Sequence, residues 1–146
     1  MTHKNDGKCE KCLSILGKYP DFYEPMKTWF VGFQSHHPEA HISEAGRGKE
    51  LQEIFYRKGA SKARYGESAH NYNCALDLFE MSGKLKDIYE FTWFVDVLKP
   101  NLPSWIVWYG EPNAVFREYP HVEVRNWKAL VSAGLVHLVE KEDGKA

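Results

Sequence analysis

The chain has 146 residues, of which 43% are apolar, 14% aromatic and 27% charged, a composition that supports a buried core and excludes a disordered, collagen-like or coiled-coil chain. Nineteen Lys and Arg against twenty Asp and Glu leave a formal net charge of −1, which gives no bulk positive field to hold nucleic-acid phosphates or an anionic membrane. Three cysteines (Cys9, Cys12 and Cys74) are too few for a disulfide scaffold, and the opening residues carry no apolar signal core. The expectation is a single domain over residues 1–146, its ordered core running from about 9 to 140, in a product that stays in the cytosol until released.

In chain order, the segment beginning at Glu24 places Pro25 where a first helical turn tolerates it and sets Met26, Trp29, Phe30 and Phe33 on one face, which predicts a helix. Residues 40–45 predict a short strand. Residues 48–58 predict a helix with Glu50 early, Arg57 and Lys58 late, Gly59 as its stop, and Leu51, Ile54 and Phe55 turned inward. Residues 61–73 read as loop, and 74–79 as an apolar strand interrupted by one acid, Asp77. A second long helix is expected over 86–98, with Ile88, Phe91, Val95 and Leu98 on its buried stripe and Pro100 ending it. Residues 105–109 and 121–124 predict strands, 126–133 a short helix and 135–139 a last strand. Helices and strands in no regular βαβ order predict an α+β fold, a small and largely antiparallel sheet flanked by helices.

Three stretches hold groups that cost free energy to bury: 68–77 with His70 and Asp77, 118–123 with Glu118, His121 and Glu123, and the glycine-flanked Arg47. Two imidazoles and a carboxylate are a donor set suited to zinc. Three protein ligands leave a fourth tetrahedral corner for water, as in catalytic rather than structural sites. Such a site needs a base. Pro120 excludes a continuous helix through Glu118 and His121, so a bend must aim both inward. Glu123, two residues beyond His121 on a strand, points to the same face as that histidine. Spacing leaves both acids open as the base.

Over roughly 42–124 the chain resembles the zinc peptidases that group D-Ala-D-Ala carboxypeptidases and dipeptidases with phage L-alanyl-D-glutamate endopeptidases, a fold related to the hedgehog signalling domain. The family pattern S-x-H-x-x-G-x-A-x-D is similar to Ser68, His70, Asn73, Ala75 and Asp77, and its acid-x-x-His element to Glu118 and His121. The resemblance implies that His70, Asp77 and His121 hold Zn2+ and that Glu118 is the general base. It also implies that Arg47, in Ala45-Gly46-Arg47, binds substrate or stabilises the oxyanion. Ser68 is either a substrate contact or a turn-forming hydroxyl. Asn73 stands where the family has glycine, and Ala45 where it has an aromatic; asparagine is the best non-glycine occupant of a left-handed position, so the turn is expected to survive.

The implied function is a zinc-dependent peptidase acting on the peptide stems of bacterial peptidoglycan, a phage endolysin cleaving the L-Ala-D-Glu bond. It would be a monomer with no nucleic-acid or membrane partner, held in the host cytoplasm and acting on the wall after release. Within the family the rival is a D-Ala-D-Ala carboxypeptidase, for which Lys62, Arg64 and Arg117 offer cations to a terminal carboxylate. From another class comes a non-catalytic zinc-stabilised binding module, against which Glu118 stands. Cys9 and Cys12 form a lone C-x-x-C without redox context on a segment expected to be solvated, and His36, His37 and His41 are the histidines available to join them in a small second metal site. Trp105, Trp108 and Tyr109 have the spacing of core aromatics on a strand more than of a groove lining.

Overall fold

The computed structural model describes residues 1–82, 88–110 and 119–140. Four strands, β1 (Ala40–Glu44), β2 (Ala75–Glu80), β3 (Ile106–Trp108) and β4 (His121–Val124), form one sheet in the order β1-β2-β4-β3. Every neighbouring pair is antiparallel. This is the α+β architecture expected from the chain order of the elements, and no helix among the described residues is long and apolar enough to cross a membrane.

Strand alternation divides the sheet into two chemically different faces. Leu76, Leu78, Val122 and Val124 lie on one face and are buried in the core. Asp77, His121 and Glu123 occupy the other. Burying an aliphatic side chain of this size contributes about 1.5–3 kcal/mol, and slipping β2 by one residue would exchange Leu76 and Leu78 for Asp77. The apolar set therefore fixes the register, and the register places the polar set.

Helices close the core. α1 (Glu10–Gly17) buries Cys12 and Leu16, and α2 (Glu24–His36) buries Met26, Phe30 and Phe33, as the spacing of its apolar residues predicts. β1 is an edge strand, and α1 and α2 both cover that edge: Ile42 N donates to Cys12 Sγ of α1 at 3.3 Å, and Gln34 Nε2 of α2 donates to Ala40 O at 2.8 Å. The sequence reading gave no helix before Glu24 and set Cys9 and Cys12 on a solvated segment; both cysteines are instead buried.

Four other expectations are corrected. In α3 (Lys49–Arg57) the fully buried residue is Gln52, while Leu51, Ile54 and Phe55 are half-buried. Gln52 is accepted in the interior because four groups satisfy it. Its Oε1 accepts from Arg47 Nη1 and Asn71 Nδ2, and its Nε2 donates to Ser61 Oγ and Ala63 O. The helix expected from Lys86 starts later, at α4 (Phe91–Trp93), and continues as a π-helical turn (Phe94–Leu98) and a 3-10 turn (Lys99–Asn101) that contains Pro100. Ile88 is exposed, and its carbonyl accepts from Glu80 N at 3.0 Å, which ties this stretch to the end of β2. Residues 83–87, where that helix was expected to begin, lie outside the described residues. Finally, α5 (Trp127–Ser132) forms as expected, but 135–139 is not a strand. Val139 N donates to Asn71 O at 2.7 Å, and Tyr65 Oη donates to Val139 O at 2.9 Å, so this stretch clips onto the turn before β2 instead of joining the sheet.

Candidate metal centre

Strand pairing and one short turn build the site. Asp77 on β2 and His121 on β4 are direct partners across the ladder, so their side chains rise from the same face at neighbouring positions. His70 comes from the 3-10 turn Ala69–Tyr72 immediately before β2. Ser68 caps that turn. Its Oγ accepts from His70 N at 3.2 Å, and its own N–H donates to Asn71 Oδ1 at 3.1 Å. Asn73 ends the turn at φ 58°, the one non-glycine residue with positive φ among the described residues. The left-handed position that the motif requires is thus kept with asparagine.

The three side chains converge. His70 Nε2 lies 3.1 Å from Asp77 Oδ1 and 3.1 Å from His121 Nδ1, and His121 Nδ1 lies 3.3 Å from Asp77 Oδ1. The remaining ring nitrogens are both committed as donors: His70 Nδ1–H to Ala45 O at 2.6 Å and His121 Nε2–H to Glu123 Oε1 at 2.7 Å. A carbonyl and a carboxylate only accept, so these bonds fix both tautomers. The nitrogens that face each other consequently both present lone pairs, with a carboxylate oxygen beside them. One shared proton would satisfy a single edge of this triangle. A cation satisfies all three, and tetrahedral zinc with bonds of about 2.0–2.1 Å sets its ligand atoms about 3.3 Å apart. The donor set therefore fits zinc. Burial works to raise the Asp77 carboxyl, but the positive charge that a proton on His70 or His121 would place beside it outweighs burial and holds the group well below the usual carboxylate range, so it is available as an anion.

These atoms form the floor of an open cleft of about 940 Å³, whose walls include Arg47, Phe55, Ser68, Tyr119 and Lys128. Arg47 is buried. Its Nε and Nη2 donate to the two carboxylate oxygens of Glu44 at 2.7 and 3.0 Å, its guanidinium stacks on Phe55 at 4.4 Å, and Nη2 lies 3.7 Å from Asp77 Oδ2. The arginine thus brings its charge to Asp77 while Glu44 and Gln52 hold it in place. Glu118 and Arg117 lie outside the described residues. Of the other cations weighed for a terminal carboxylate, Lys62 lines the cleft, whereas Arg64 is absent from its lining and pairs with Glu53 at 2.9 Å. Trp108 is a core residue stacked on Phe94 at 6.1 Å, and its Nε1 donates to Tyr119 O, which steadies a residue of the cleft wall.

Glu123 has a specific place. Beyond its bond to His121, its Oε2 accepts from Trp127 Nε1 at 3.0 Å. With both oxygens engaged it is suited to orient His121 from behind, the carboxylate–imidazole arrangement that raises ligand basicity and fixes the ring. Glu123→Ala is expected to weaken zinc affinity about 10- to 100-fold without changing the fold, as measured by competition with a chromophoric chelator. Unchanged affinity would remove that role. Sequence reasoning put Glu123 on the right face but did not identify Trp127 as its second partner. It also passed over Asn71 and Gln52, which tie the His70 turn to Arg47; the Ser68-x-x-Asn71 capping pattern was the available signal for the first.

No protein-family model matches the sequence, and no curated protein does. Among solved structures, the crystal structure of the L-Ala D-Glu endopeptidase ChiX from Serratia marcescens aligns with a TM-score of 0.62 over 82% of this chain and 87% of that one, at 16% sequence identity. The likeness is therefore one of architecture: this chain has the α+β fold of that endopeptidase.

Proposed function

We propose that the protein is a zinc-dependent peptidase of bacterial cell-wall peptide stems that cleaves the L-Ala-D-Glu bond. The observation that carries this reading is the convergence of two lone-pair nitrogens and a carboxylate oxygen within 3.3 Å on the floor of an open cleft. The fold shared with an L-Ala D-Glu endopeptidase supports the substrate class.

When bound, zinc would supply a Lewis acid for the scissile carbonyl and would lower the pKa of a water towards about 7. His70, Asp77 and His121 hold it, and Ala45 O and Glu123 keep the two rings aimed. Glu118 takes the proton of the attacking water and passes it to the leaving amine. Arg47 lends positive charge to the developing oxyanion. Ser68 Oγ accepts from the His70 amide and keeps its O–H to offer a substrate carbonyl.

Digestion of purified peptidoglycan tests the reading. Chelated protein is expected to be inert and zinc-reloaded protein to generate free N-terminal D-Glu. Release of D-Ala instead would redirect the assignment to a carboxypeptidase, for which Lys62 and Lys128 in the cleft supply cations. No new termini from zinc-loaded protein would refute the peptidase.

A further inference from the structure

A second cluster of metal-binding side chains lies outside the cleft. Cys9 and Cys12 are three residues apart at the start of α1, which turns both thiols to one side of the helix. His41 is carried by β1, on the same side of the sheet as Asp77 by strand alternation. His3 comes from the opening segment. We propose that His3, Cys9, Cys12 and His41 form a four-coordinate structural zinc site that pins the N-terminal segment and α1 to the edge of the sheet.

The distances match that ion. Tetrahedral zinc with Zn–S of about 2.3 Å and Zn–N of about 2.0–2.1 Å puts each sulfur about 3.5 Å from each nitrogen. His3 Nδ1 lies 3.4 Å from Cys9 Sγ and 3.5 Å from Cys12 Sγ, and His41 Nδ1 lies 3.5 Å from Cys12 Sγ. One ligand atom from each of the four residues fits within 4.8 Å of all the others. Cys9, Cys12 and His41 are all buried, and the two cysteines are free thiols. His36 and His37, the other histidines weighed from sequence, do not take part: His36 is exposed against Gly32 O, and His37 sits 3.9 Å from Glu39.

The surroundings are those of a metal site. His41 Nε2–H donates to Asn5 Oδ1 at 2.7 Å, and Asn5 Nδ2 donates to Met81 O at 2.6 Å, which fixes the amide orientation and leaves the His41 Nδ1 lone pair facing Cys12. Cys12 Sγ accepts N–H bonds from Ile42 at 3.3 Å and Gln34 at 3.4 Å, the kind of donors that stabilise a thiolate. Gln34 also accepts from Cys9 N through Oε1 at 3.1 Å, so one side chain braces both cysteines. Four protein ligands close the coordination sphere, which marks a structural zinc, whereas the cleft offers three.

Cobalt substitution of the full-length protein separates the two sites, because only this one contains sulfur. Metal-free protein reloaded with Co2+ is expected to show a thiolate-to-cobalt charge-transfer band, and zinc-loaded protein to hold two ions per chain. Cys9→Ser with Cys12→Ser removes the band and one ion; His121→Ala removes the other ion and keeps the band. His3→Ala, a half-exposed ligand whose loss spares the core, lowers affinity at this site by at least about 10-fold and keeps the fold even if the double cysteine variant does not. Absence of the band in cobalt-loaded wild-type protein overturns the proposal. So does a single zinc that is lost with His121. A single zinc that survives His121→Ala, with the band present in the cobalt-loaded form, upholds this site while refuting the cleft assignment.

Discussion

His121→Ala is expected to empty the cleft of zinc and abolish peptidoglycan cleavage. The substitution takes one of three converging donors and also strips Glu123 of its 2.7 Å partner, so the loss exceeds the roughly 100-fold ceiling for removing an outer partner alone. A 100-fold loss at saturating metal corresponds to about 2.7 kcal/mol of folding stability. In a chain of this size that lowers Tm by about 5–10 °C, because the ion binds the folded state and not the unfolded one. Zinc analysis and calorimetry on the same preparation read both effects. Unaltered zinc content at the cleft would remove His121 from the ligand set.

Glu118→Gln is expected to slow hydrolysis by 10²- to 10⁴-fold, the usual contribution of a positioned general base, equivalent to about 2.7–5.4 kcal/mol of barrier. Zinc content and Tm stay at wild-type values, which separates this variant from His121→Ala. The reason for choosing Glu118 lies in its rival. Both Glu123 oxygens accept a hydrogen bond, one from His121 and one from Trp127, and both bonds weaken when the carboxylate takes a proton. Wall digestion at the wild-type rate by Glu118→Gln would return the role to Glu123.

What the sequence disclosed follows from which forces were local. The apolar spacing from Met26 to Phe33 needed no tertiary information to specify α2, and a lone acid in the apolar run before Phe79 was enough to mark Asp77. Its meeting with His121 depends on register, which the alternation of Leu76, Leu78, Val122 and Val124 encodes once β2 and β4 are known to pair. Other features depended on distant partners. α1 has only Cys12 and Leu16 to bury and no capping side chain at Cys9, so its pattern is too short to read; it is held by β1 and Gln34. The apolar spacing after Lys86 was present, yet Ile88 O is bonded to Glu80 N, a long-range tie to β2 that the spacing does not encode, and the helix begins at Phe91. Val136 and Val139 are buried three residues apart, a spacing that strand alternation does not produce, and their stretch follows the His70 turn instead.

The covering of β1 by α1 and α2 bears on association between chains. An edge strand offers unpaired N–H and C=O groups to any extended segment that approaches it. Here the Ile42 amide is spent on a sulfur and the Ala40 carbonyl on a glutamine side chain. While α1 and α2 stay docked, neither group is free to recruit a fifth strand. Undocking α1 would restore the Ile42 amide, and the first symptom would be strand-mediated clumping rather than unfolding.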